Sequence, residues 1–160
     1  MRTHPSLHKK SVSDNPVRPS VLFDTGHIPL IYCAAETEYP KTNFDRAYAK
    51  FLDLITTSCA KRCAIAVYHR SILRDLPPRA FDDSTTKLGT SQVILNGAEL
   101  SLLTLTRFEF FVEGPIFAIY VNLPQFKELL ELPSSGIVYL PWQRAQLETF
   151  SSTYKNSTLI

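Results

Sequence analysis

The chain has 160 residues, 44 % of them hydrophobic and 20 % charged, a globular composition sized for one domain with a core rather than two. Seventeen basic against fifteen acidic side chains leave a formal charge of +2, which argues against the strongly basic footprint of a duplex nucleic-acid binder. No apolar run approaches the roughly 20 residues of a membrane-spanning helix, and the longest, "CAIAVY" and "PIFAIYV", are strand-sized.

In chain order, residues 1–20 ("MRTHPSLHKKSVSDNPVRPS") read as a basic, Ser/Pro-rich arm without the apolar stretch of a secretory signal, preceding a single α+β domain over 21–160. Asp24-Thr25-Gly26 spells the tripeptide that carries the catalytic aspartate in pepsin-like and retroviral proteases. Those enzymes need two aspartates sharing one proton, small residues after the motif and a Gly-rich flap. This chain has one copy, followed by His27 and Ile28, and only five glycines, so the tripeptide reads as a turn.

"HIPLIYCAA" (27–35) then predicts a buried strand. Residues 42–62 follow as an amphipathic helix, with a capping-box-like Thr42 and Asp45 at its start. Phe44, Tyr48, Phe51, Leu52, Ile55 and Cys59 share one face, and Lys61 and Arg62 favour the C-terminal dipole. "CAIAVYH" (63–69) predicts a central strand, so the simplest topology is a βαβ unit whose two strands are parallel neighbours. A long polar connection over 71–90, including the loop 77–90, comes next.

The second half predicts antiparallel hairpins. One turns at Asn96-Gly97, with a helix over 97–105 as the competing reading, and one turns at Gly114-Pro115. A short helix opens at Pro124, "SSGIVYLP" forms another strand, and Trp142, Leu147, Phe150 and Tyr154 of a terminal helix cover the sheet. The expected fold class is α+β: a mixed sheet with about three helices packed on it.

No P-loop, dinucleotide fingerprint or nucleophile elbow occurs, and no pair of His or Cys has metal-ligand spacing, so no cofactor or metal is implied. Cys33, Cys59 and Cys63 read as reduced, packed thiols of an intracellular, cytoplasmic protein. Asn156-Ser157-Thr158 matches a glycosylation sequon by chance. Asp82, Asp83 and Lys87 read as a solvated loop tip rather than a nuclease triad.

One cluster carries a chemical expectation. If 28–34 and 63–68 are neighbours, Glu36 and Glu38 meet Tyr68, His69 and Arg70 at the carboxyl edge, where open α/β sheets bind ligands. Glu36, Glu38 and His69 would then do acid–base work, with Arg70 and Tyr68 holding a phosphate or carboxylate. The competing reading is an ordinary charged loop rim. Phe108, Phe110 and Phe111 form an aromatic stretch suited to a protein interface. The expected function is accordingly a non-enzymatic interaction or assembly module, contacting a protein partner or a second copy through the arm and these aromatics. A small phosphate- or carboxylate-binding enzyme built on the edge cluster is the alternative.

Overall fold

The computed structural model describes residues 29–35, 40–74, 76, 93–104 and 113–160. They form β1 (Leu30–Cys33), α1 (Pro40–Thr57), β2 (Arg62–Val67), a 3-10 turn (Arg70–Arg74), β3 (Val93–Leu95) and β4 (Ala98–Leu103). β5 (Gly114–Ile119), α2 (Leu123–Leu130), β6 (Ser134–Leu140), α3 (Arg144–Thr153) and β7 (Thr158–Leu159) complete the order. The arm, the Asp24-Thr25-Gly26 turn, the 77–90 connection and Phe108, Phe110 and Phe111 lie outside the described residues.

The architecture is α+β, with one seven-stranded mixed sheet in the order β3-β4-β2-β5-β6-β1-β7. Among the described residues only the β3–β4 pair is antiparallel; the other neighbours run parallel. That hairpin turns where expected, because Asn96 (φ 47°) and Gly97 (φ 83°) supply the two left-handed residues of a tight turn. Residues 98–103 are therefore strand, not helix.

The sheet separates two cores. On one face α1 buries Phe44, Ala47, Phe51, Leu54 and Ile55 against Ile65, Val67, Phe117, Ile119, Val138 and Leu140. On the other, Phe126 and Leu129 of α2 and Phe150 of α3 meet Ala64, Ala66, Ile116, Ala118, Ile137 and Tyr139. The small alanines of β2 and β5 leave room for the large rings above them, as close packing requires. Phe126, Tyr139, Phe150 and Tyr154 stand with neighbouring ring centres 4.6–5.2 Å apart.

β1→α1→β2 crosses the sheet in one direction over one face, and β5→α2→β6 crosses in the opposite direction over the other. Reversing both keeps one handedness, as the twist of parallel strands demands. The chain between β1 and β2 thus skips two positions: β1 and β2 are parallel but not neighbours, because β6 and β5 lie between them. Gly114-Pro115 is not a turn either. It opens β5, where Gly114 (φ 120°) sits at a register irregularity. A Cβ there would collide with the Arg62 carbonyl, so only glycine fits.

Four further expectations shift for local reasons. The helix starts at Pro40, which leaves Thr42 inside the first turn rather than at a cap. It stops at Thr57, so Lys61 and Arg62 do not close it, and Arg62 begins β2. Cys59 follows the helix end with φ 50° and is exposed, whereas Cys33 and Cys63 are fully buried. Trp142 precedes α3 instead of joining its packed face; Leu147, Phe150 and Tyr154 make the contact with the sheet.

Candidate functional site

In sheets of this kind, ligands bind beyond the carboxyl ends of strands, where adjacent strands send their connections to opposite faces. β2 and β5 satisfy that condition. The 3-10 turn after β2 packs Ile72 and Leu73 on the α1 core, while β5 leads into α2 on the far face. β1 and β6 form a second such pair, leading to α1 and α3 respectively.

Three of the expected site residues, Tyr68, His69 and Arg70, stand exposed together just past β2. The Ser71 N–H donates to His69 Nδ1 (3.3 Å), and Ser71 Oγ lies 2.9 Å from the same nitrogen. In that geometry Nδ1 accepts from the Ser71 N–H. Glu36 and Glu38 lie outside the described residues. Their strand, β1, is three inter-strand steps from β2, about 14 Å at about 4.8 Å per step, so adjacency of the two strand ends does not bring those acids to His69.

The centre of the edge belongs instead to a pair the sequence reading assigned elsewhere. Tyr120 follows β5 in the left-handed region (φ 55°), held by its N–H donating to the Leu140 carbonyl (2.9 Å). That backbone breaks the strand alternation: Ile119 and Tyr120 both pack on the α1 core, and Val121 turns to the other. A bulky residue with positive φ carries real strain, and such strain gathers at working sites. The Tyr120 ring meets Trp142 edge-on at 4.7 Å with an interplanar angle of 89°. Burial pushes the Tyr120 hydroxyl above its usual range. Trp142 remains 60 % exposed and Tyr68 49 % exposed. The available signal was positional: Tyr120 and Trp142 stand at or one residue before the end of apolar runs that lead into a helix.

Below Tyr120 the chain is tightly secured. Tyr139 Oη donates to the Val121 carbonyl (3.0 Å), and Asn122 and Gln125 form a reciprocal capping box at the start of α2 (2.9 and 3.1 Å). Trp142 is anchored by its own N–H, which donates to Gln146 Oε1 at 2.8 Å.

At the β1 end, Arg46 Nη2 donates to the Ala35 carbonyl (2.8 Å) and to Asn43 Oδ1 (3.3 Å). A shallow cleft of about 410 Å³ lies beside it, lined by Ala35, Arg144, Leu147, Glu148, Ser151 and Leu159. Arg144 and Glu148 pair across its rim at 3.2 Å. Among the described residues no group of three His, Cys, Asp or Glu side chains could hold a metal ion, and no helix is long and apolar enough to cross a membrane. Burial pushes the Cys33 and Cys63 thiols up to about 12, which makes them poor nucleophiles.

Comparison with known protein families, characterised proteins and solved structures finds no match to this chain.

Proposed function

We propose that the protein works as a protein–protein interaction or assembly module rather than as a catalyst. One observation carries this reading: among the described residues, large aliphatic side chains are exposed on both outermost strands, Ile94 on β3 (57 %) and Leu159 on β7 (56 %). Outer strands end the hydrogen-bonding ladder of a sheet, and a partner strand can extend it. Soluble chains ordinarily blunt such edges with charge, proline or short length. Here both strands are short, but each carries an apolar side chain outward. The acid–base alternative draws less support, since its two strand ends are not neighbours.

The test places a photoreactive amino acid at position 94, at position 159 and, as a control, at exposed Thr56 of α1, in the full chain expressed in its own host. Crosslinks to a partner protein or to a second copy from 94 or 159, and not from 56, are the expected result. Equal crosslinking from all three positions, or none from any with a monomeric mass by light scattering, would overturn the proposal.

A further inference from the structure

We propose that residues 158–160 are a detachable strap on the outer edge of β1, and that this edge accepts in its place an extended aliphatic segment of a partner. The use of the strap rests on the edge contact proposed above, whereas its detachment rests on the edge alone. β7 pairs with only half of β1: Tyr32 with Thr158 and Cys33 with Leu159. Among the described residues no strand pairs with Leu30 or Ile31 on that side, and Leu30 stands 58 % exposed. On its inner side β1 is complete, paired with β6 from Leu30 to Cys33.

The strap is lightly held. The Ile160 N–H donates to the Cys33 carbonyl and the Ala35 N–H donates to the Ile160 carbonyl, each at 2.9 Å. Thr158 and Leu159 are both exposed, and Ile160 packs, partly buried, on the α1 core. Segments with few buried contacts lie at the low end of local stability and open first. The seat beneath is firmer. The Ala34 N–H donates to the Tyr139 carbonyl (2.9 Å), and Arg46 of α1 holds the Ala35 carbonyl at 2.8 Å. β1 thus keeps its extended edge when the strap leaves. An incoming strand can begin at Leu30 and Ile31 and displace β7 residue by residue, taking over the same backbone bonds. β7 itself shows what the edge accepts: a parallel segment with an aliphatic side chain opposite Cys33. Leu159 and Ala35 share the lining of the cleft beside α3, so release of the strap also removes one wall of that cleft.

Two measurements on the full chain test this. In hydrogen exchange, the Ala35 and Ile160 amides should exchange about 100-fold faster than those of Phe117 and Val138 in the central strands. Exchange as slow as in the central strands would overturn the strap. The second probe is a synthetic heptapeptide copying residues 154–160, with a photoreactive residue in place of Leu159. Ile160→Pro removes the N–H that donates to Cys33, so it loosens the strap and should raise peptide crosslinking to Leu30–Cys33 several-fold over the unsubstituted chain. A scrambled heptapeptide should give no such rise. Equal crosslinking in the two chains, or by the two peptides, would overturn the proposal. Neither readout uses the partner, so a failed crosslink from positions 94 and 159 in the host would count against the interaction reading and not against the strap.

Discussion

At the outer strands the exposed apolar side chains are aliphatic, Ile94 and Leu159, whereas at the carboxyl ends of the central strands they are aromatic, Tyr68 and Trp142. The difference follows from what each place can offer a partner. A strand edge offers backbone donors and acceptors along its length, and a branched side chain beside them adds contact without direction. A strand end offers no ladder to extend. What it presents is exposed rings, of which Trp142 meets Tyr120 edge-on. Exposure of similar size thus differs in chemical character between the two regions, and Leu30 on β1 adds a further exposed aliphatic side chain. Both regions rest on a fully buried centre.

The firmest way to break this comparison is to weaken that centre. Phe117 is fully buried in β5 with Phe44 and Phe51 at 5.7 and 5.5 Å, and Phe117→Ala should cost about 3–5 kcal/mol by urea unfolding. A cost near that of a surface substitution would mean that the central strands are not the rigid support assumed for either surface.

Alkali probes the same centre more gently. Cys33 and Cys63 have folded pKa values raised from 9.0 to about 12, so the folded state holds two protons that the unfolded chain releases first. Stability should therefore be full below pH 9 and fall as the pH rises from there toward 12. The urea midpoint measured across that range checks the slope. A thiol-reactive dye at neutral pH should label exposed Cys59 promptly and reach Cys33 and Cys63 only on unfolding. Rapid labelling of all three would contradict the burial on which the alkaline prediction rests.

The two surfaces themselves should respond weakly in stability. Trp142→Ala removes one edge-on ring contact and should cost about 0.5–1.5 kcal/mol by the same unfolding measurement. Ile94→Ser should change stability by about 0.5 kcal/mol or less and reduce partner crosslinking from position 159 only if one assembly engages both edges. A large stability loss from Ile94→Ser would show that β3 serves packing rather than contact.

Periodicity made much of the fold legible. The α1 stripe of Phe44, Phe51 and Ile55, the apolar runs of β2, β5 and β6, and the Asn96-Gly97 turn are local features, each set by a few consecutive side chains. The candidate site was less so. Tyr68, His69 and Arg70 do stand just past a central strand, which ends at Val67 and not at the expected 69, but their supposed neighbours were chosen by assuming the shortest crossover. Trp142 was assigned to a helix that begins two residues later.

By itself, the sequence determined most of the strands and helices, though not β7 or whether 98–103 is strand, together with where the β3–β4 hairpin turns; and among the described residues no helix is long and apolar enough to cross a membrane. Those outcomes depend on hydrophobic spacing and on backbone preferences a few residues wide. Strand order was decided only in three dimensions. Whether β2 lies beside β1 or three places away changes no local preference; it depends on which apolar faces complement each other, as β5 and β6 do between them. The left-handed turn at Tyr120 was settled in the same way, by the Leu140 carbonyl and the Trp142 ring that only the assembled sheet brings to it.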